Sequence, residues 1–392
     1  MTDRAVYLDH AATTPVRPEV LEAMLPYLSE AAFGNPSSSH RFGRIARAGL
    51  EQARREVAEA VGADPATVVF TSGGTESDNL AVIGASMAAR ARGHAPLAVV
   101  TAVEHKAVLA AAHAVRNFGG EEAILPVDRH GIVDLGALDL ALASRPSIVS
   151  VMWVNNETGT LQPIAEVAAR CGAAGVPCHS DAVQALGKVP VDLRTLPLSL
   201  LSISGHKIGA PKGIGALILR PGTDLEPGIH GGGQQHGVRP GTENIAGAVG
   251  LGRAAQLAAR EQVAESGRVG ALRDDLAARL RMALPDVVIH GEGGPRAPHI
   301  LSVGVPGTDS EALLMHLDLA GVAASSGSAC MTGAVEPSHV LTAMGVPRPL
   351  AVGTIRFSLG RTTTAAEVDR AAAVFPSVVT KVRQLAGVLG RG

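Results

Sequence analysis

Ser204-Gly205-His206-Lys207 sets a hydroxyl, an imidazole and a primary amine close together, directly after the apolar run Leu200 to Ser204. A lysine wedged between apolar strands and glycines suits Schiff-base chemistry, and the hydroxyl and imidazole suit a phosphate. Asp181, in His179-Ser180-Asp181-Ala182-Val183-Gln184, follows another such run. A carboxylate there can keep a pyridine nitrogen protonated, which makes the ring an electron sink. Gln184 falls three residues on, on the same side of a helical turn. Gly73-Gly74-Thr75-Glu76 leads glycines into a helix N-terminus, where backbone N–H groups attract an anion. Glu104-His105-Lys106 and Val154-Asn155-Asn156-Glu157 end two further runs. Each segment alone reads equally as a polar turn or a helix start. Together, at successive strand ends, they point to one ligand site, because open α/β sheets bind ligands at the carboxyl ends of their strands.

Two residues stand apart. Cys330 lies in Ala323-Ala324-Ser325-Ser326-Gly327-Ser328-Ala329-Cys330-Met331-Thr332-Gly333, small and polar on both sides. That is a poor place to bury a structural thiol and a good one to swing a nucleophile. Arg356, in Thr354-Ile355-Arg356-Phe357, offers a planar fork for a substrate carboxylate. A metal site at His179 and Asp181 beside Cys178 is the rival reading. Cys171 and Cys178 lack paired metal-ligand spacing, so no metal is expected, and Cys171 reads as core.

Positioning these residues takes a scaffold of alternating strands and helices. Strands are expected at 67–71, 97–103, 148–155, 176–181, 200–204 and 216–219, with helices from about Thr75 and near 104–117, 162–174 and 183–187. This predicts an α/β domain built on a mostly parallel sheet flanked by helices. A long, interrupted helix is expected from Thr242-Glu243-Asn244 to about Met282. Beyond it the rhythm changes: strands near 298–305 and 353–358 and helices near 309–320 and 364–389 predict a smaller α+β domain. The N-terminal segment should return to pack on it. The predicted division is a large domain of residues 15–258 and a small one of 1–14 and 259–392.

Composition narrows the class. A chain of 392 residues, 46% hydrophobic and 18% charged, can bury a large core. Only 2% of residues are aromatic and the net charge is −2, which gives no footprint for nucleic acid or an anionic membrane surface. No apolar run is long enough to span a bilayer, and the first residues lack a secretory leader's apolar stretch. Three cysteines are too few for a disulfide framework, so a cytoplasmic location with free thiols is expected.

Taken together, these segments resemble the NifS/IscS-like cysteine desulfurases of the fold type I (aspartate aminotransferase-like, class V) pyridoxal-phosphate enzymes. The resemblance runs from Tyr7-Leu8-Asp9-His10-Ala11-Ala12-Thr13-Thr14 through Gly34-Asn35-Pro36-Ser37-Ser38 to Ile355-Arg356-Phe357-Ser358. Its most specific pieces are Ser204-Gly205-His206-Lys207 with Gly209-Ala210-Pro211-Lys212-Gly213, and Ser325-Ser326-Gly327-Ser328-Ala329-Cys330. It implies the cofactor pyridoxal 5′-phosphate, with a large cofactor-binding domain, and the substrate L-cysteine. Lys207 would be the Schiff-base lysine and Asp181 the partner of the ring nitrogen, with His105 stacked on the ring. Gln184 and Asn156 would lie near the ring oxygen and substrate, and Gly74, Thr75, Ser204 and His206 would hold the phosphate. Thr242 would reach the phosphate of a second subunit, which implies a homodimer. Arg356, helped by Asn35, would anchor the substrate carboxylate. Cys330 would take the sulfur as a persulfide and pass it to an acceptor protein, for iron–sulfur cluster assembly or thiolation. The family's usual Glu-Arg pair after its glycine run is Gln235-His236 here, and Pro240 replaces a usual Ser. A selenocysteine lyase, an aminotransferase of the same fold and a silent sulfur-carrier scaffold are the alternatives.

Overall fold

The computed structural model describes residues 5–326 and 337–389. Its strands are β1 (Val6–Tyr7), β2 (Val68–Thr71), β3 (Leu97–Thr101), β4 (Glu121–Leu125), β5 (Ile148–Ser150), β6 (Cys178–Asp181), β7 (Leu200–Ser204), β8 (Gly215–Leu219), β9 (Val288–Ile289), β10 (Ile300–Gly304), β11 (Val322–Ala323) and β12 (Thr354–Ser358). The helices are α1 (Pro18–Met24), α2 (Arg41–Val61), α3 (Gly74–Ala91), α4 (Lys106–Ala114), α5 (Leu135–Leu142), α6 (Ile164–Ala174), α7 (Ile245–Ala283), α8 (Ser310–Leu319), α9 (His339–Ala343), α10 (Arg348–Ala351) and α11 (Ala365–Leu389).

The main sheet runs β2-β8-β7-β6-β5-β3-β4. Its pairs from β7 to β4 are parallel, and β8 runs antiparallel to both its neighbours. Successive strand residues face opposite sides. Val68 and Phe70 of β2 join one apolar core, and Val69 joins another on the opposite face. The same alternation places Val99 in the first core and Ala98 and Val100 in the second. Both faces are covered, so the strands read as nearly unbroken apolar runs. The α/β class and mostly parallel sheet are as expected.

A further core joins Val6 and Leu8 to side chains between Val269 and Val382. There β10 pairs antiparallel with β9 and β12, and β1 pairs parallel with β11, so the N-terminal segment packs as expected. Among the described residues, no helix is long and apolar enough to cross a membrane.

The structure corrects the expected elements in three places. The helix expected at 183–187 is a turn: Val183 N donates to Asp181 Oδ1 at 2.9 Å, and Gly187 leaves it at φ +76°. The strand expected over 148–155 ends at Ser150, and the chain then bends across the tops of its neighbours, with Trp153 N donating to Asp181 O at 2.9 Å. The helix expected to be interrupted is continuous over Ile245–Ala283. Its glycines suggested a break by propensity. At Gly252 the missing side chain instead permits close helix contact, since a Cβ there would stand 2.8 Å from Ala53 Cα of α2.

Candidate active site

Parallel strands all end on the same side of the sheet, so their following turns converge. Lys207 enters from the turn after β7. Its Nζ donates to Ala11 O and, at 2.8 Å, to Ala12 O. Burial lowers the amine to about 8, Arg356 pushes it the same way, and Asp181 and Asp9 push it back up. Asp181, at the end of β6, is 5% exposed, and the one hydrogen bond to its carboxylate among the described residues comes from Val183 N. Burial raises its pKa, and the charges of His105 and Lys207 oppose that. His105 caps α4, its Nδ1 accepting from Ala107 N at 3.2 Å, and the residue is exposed. Partial desolvation lowers its pKa, Asp181 raises it, and Lys207 and His339 lower it. Lys207, Asp181, His105 and Arg356 thus share one electrostatic cluster.

Arg356, in β12, is 4% exposed. Its Nη2 donates to Asp9 Oδ1 and its Nη1 to Asn156 O, each at 2.7 Å, and its Nε has no partner among the described residues. Asn156 is therefore beside the arginine through its carbonyl. Gln184 is buried, its Nε2 donating to Ala11 O at 2.8 Å and its Oε1 accepting from His299 Nε2 at 3.2 Å. Gln184 and Lys207 thus grip the same carbonyl.

The phosphate candidates gather at the start of α3. Its N-cap, Gly73, supplies no side-chain cap, so the first-turn N–H groups of Gly74 and Thr75 are open to an anion. A Cβ on Gly74 would come within 2.8 Å of Val183 Cγ2 and 3.7 Å of Ser204 Cβ, so the loop closes tightly against β7. His206 Nδ1 lies 3.1 Å from Thr13 Oγ1, and burial lowers its pKa to about 4. Its imidazole is therefore neutral at pH 7 in the protein alone. Asn35 and Thr242 are exposed, and among the described residues neither side chain hydrogen-bonds to this cluster. Cys330 lies outside the described residues.

The residues present fit pyridoxal phosphate. They pair an amine of depressed pKa with an under-bonded buried carboxylate, an uncapped glycine-led helix start and an arginine with an unpartnered Nε. No group of three or more His, Cys, Asp or Glu among the described residues could hold a metal ion. Cys171 is fully buried and Cys178 nearly so.

Beneath the site lies a layer in which sequence reasoning missed Asp78 and Lys188 and read Glu104, His179 and Gln235 without their buried contacts. Asp78 of α3 and Glu104 after β3 are buried, and burial raises the pKa of each, with the charge of Asp181 raising both further. His179 bridges Ser150 Oγ at 2.8 Å and Ser202 Oγ at 2.9 Å, with its pKa lowered to about 3 by burial. Half-buried Lys188 donates to Lys207 O at 3.1 Å, and desolvation lowers it to about 7. Gln235, where the resemblance implies Glu, is 4% exposed at φ +46°. Its Oε1 accepts from Phe70 N at 2.7 Å and Arg54 Nη1 at 3.2 Å, and its Nε2 donates to Glu243 Oε2 at 2.8 Å.

Sheet, strand-end cluster and lysine define a fold type I pyridoxal-phosphate enzyme, and residues 6–371 match the model of the "Aminotransferase class-V" family. The chain belongs to that family, whose cofactor is pyridoxal 5′-phosphate. It is 44% identical over 382 residues to "Cysteine desulfurase IscS" of Dictyoglomus turgidum, covering 97% of this chain and 96% of that one. To "Cysteine desulfurase NifS" of Azotobacter vinelandii it is 44% identical over 381 residues, covering 97% and 94%. A solved structure titled "NIFS-LIKE PROTEIN" superposes with a TM-score of 0.87 at 35% identity, covering 98% of this chain and all of that one.

Proposed function

We propose that this protein is a cysteine desulfurase that converts L-cysteine to L-alanine and carries the released sulfur on Cys330. The carrying observation is Lys207, an amine lowered to about 8 and clustered with Asp181, His105 and Arg356. Pyridoxal phosphate, when bound, supplies an electron-withdrawing ring that delocalises charge from the substrate α-carbon. Asp181 holds the proton on the ring nitrogen, and burial strengthens that pairing because little water competes. Lys207 is partly neutral near pH 8, so it can take a proton from the α-carbon and return one. Arg356 holds the substrate carboxylate, with Asn35 beside it, and Asn156 and Gln184 orient the reacting end. Gly74, Thr75, Ser204 and His206 hold the phosphate, with Thr242 from a second subunit of a homodimer. His105 covers the ring face and assists proton transfer.

Cys330, as thiolate, attacks the substrate sulfur. A sulfur–sulfur bond forms, and the carbon–sulfur bond breaks with its electron pair staying on carbon. Carbon takes up a proton and leaves in L-alanine. An acceptor protein, of iron–sulfur cluster assembly or thiolation, then takes the sulfur in the cytoplasm. The division into residues 15–258 and residues 1–14 with 259–392 belongs to the same proposal, supported by the separate apolar cores.

The test is mass spectrometry after cysteine is added without reductant. A one-sulfur gain on the Cys330 peptide is expected, and its absence sinks the reading. Borohydride should fix the cofactor on Lys207 and nowhere else.

A further inference from the structure

The turn after β7 has a second side. Lys207 turns its amine to the carbonyls of Ala11 and Ala12, while its own carbonyl accepts from Lys188 Nζ at 3.1 Å. Lys188 lines a cavity of about 120 Å³, bounded by the turns at 186–188 and 207–209, the middle of α7 and residues 359–362. An apolar cavity of about 150 Å³ accepts benzene, so a space of this order admits a small organic molecule. Leu186, Ala258, Val269, Pro298 and Leu359 give it apolar walls. Ala258 belongs to the core of the main sheet, and Val269 and Leu359 to the core around β10. The cavity therefore sits where two cores meet, a common place for ligand sites. None of Asp181, His105, Ser204, Asn156 and Arg356 lines it, so it is separate from the cofactor cleft.

The charges of its lining do not cancel. Glu261 is taken by Arg17, whose Nη2 donates to its two oxygens at 2.8 and 2.7 Å. Glu265 accepts from Arg268 Nε at 3.2 Å and Nη2 at 2.8 Å. Gln184 Nε2 is committed to Ala11 O, so its Oε1 accepts and His299 Nε2 is the donor. Burial holds His299 and His10 neutral, and the Nδ1 of each has no partner among the described residues. That leaves half-buried Lys188 and exposed Arg361 as lining cations with no carboxylate partner among the described residues. Lys188 is fixed in place, its carbonyl accepting from Ser266 Oγ at 2.5 Å and Gln262 Nε2 at 3.4 Å. A desolvated ammonium without a counter-ion is costly, and desolvation with the charge of Lys207 lowers this one to about 7. An anion beside it relieves that cost.

We propose that this cavity is a second ligand site, for a small organic carboxylate: Lys188 and Arg361 take the carboxylate, and the apolar walls take its carbon chain. An inorganic anion leaves those walls bare, and a neutral molecule of the same shape leaves Lys188 unpaired. The site uses no sulfur chemistry, so it stands or falls independently of the desulfurase reading.

The experiment titrates butyrate into the full-length, cofactor-loaded protein by isothermal calorimetry, with butyramide and inorganic phosphate as comparison ligands. Loading the cofactor occupies Lys207 and the phosphate site beforehand. Butyrate should bind with a Kd of about 1 mM, in keeping with its size. Butyramide and phosphate should each bind at least about tenfold more weakly. Lys188→Met keeps the stem, loses the charge and should weaken butyrate by at least about tenfold. Arg361→Ala, at an exposed position, should weaken it by about threefold. Arg356→Lys alters the arginine proposed for the substrate and should leave butyrate within about twofold of wild type. No heat of binding with butyrate at about 20 mM means that the cavity holds water alone, and it overturns the site. Equal binding of butyramide or phosphate overturns the carboxylate assignment. An affinity that Lys188→Met leaves unchanged, or that Arg356→Lys abolishes, places butyrate elsewhere and overturns the second site. If Lys188→Met fails to fold, Arg361→Ala decides alone, and an unchanged affinity there overturns the proposal.

Discussion

Glu104→Gln tests whether the acids beneath the site stay protonated. Glu104 is fully buried, and its Oε1 accepts from Thr101 Oγ1 and Met152 N, each at 2.8 Å. Oε2 has no partner. Burial first, and then the charge of Asp181, raises its pKa from 4.5 to about 8. The folded protein therefore keeps a proton that the unfolded chain has released, and stability is lost as pH rises from 4.5 towards 8. Each pH unit in that window is worth about 1.4 kcal/mol, so the loss between pH 5 and pH 7.5 is about 3 kcal/mol. Glutamine mimics the protonated acid and keeps the acceptor for Thr101 and Met152 without titrating. The buried histidines titrate oppositely: His10, His206 and His290 are lowered to about 4 and His179 to about 3, so their contribution is lost as pH falls from 6.5. That contribution is common to both proteins and cancels in their difference. Urea unfolding of cofactor-free protein from pH 5 to pH 8 should show the variant gaining on wild type by about 3 kcal/mol across the range. Parallel pH profiles would refute the argument, because Glu104 would then be ionised in the fold.

Arg356→Lys should raise KM for L-cysteine by at least about tenfold, since one ammonium cannot hold Asp9, Asn156 O and a carboxylate as a fork does; steady-state kinetics with an unchanged KM would exclude that role. Gln235→Ala leaves Phe70 N unpartnered and should cost about 1–3 kcal/mol in urea unfolding, and a loss under about 0.5 kcal/mol would contradict the bridge. Gly252→Ala drives a methyl against Ala53 of α2 and should cost about 1–3 kcal/mol by the same measurement. A neutral result would mean that α2 and α7 separate freely.

The sheet was legible because its strands are covered on both faces, so Leu200 to Ser204 and its neighbours read as apolar runs from residue type alone. Strand-end convergence then carried the lysine, the carboxylate and the glycine turn to one side without knowledge of any contact. The turn at 183–187 escaped because an Asx turn and a helix start both place Asp before apolar residues, and the outcome depends on where Asp181 must point. The continuity of the long helix α7 escaped because glycine lowers propensity wherever it falls, and only the nearness of Ala53 shows that two helix backbones approach there. Asp78, Glu104 and Glu157 are harder still. Each is an ordinary acid in a helix or turn, and its chemistry comes from being buried beside another, which is a property of pairs distant in the chain. Glu157 and Ser338 are 181 residues apart. The residues that touch a ligand announce themselves by type and by strand end. Those that set their charge depend on tertiary depth, and Glu104 is the position where a Gln substitution separates that charge from the packing that supports it.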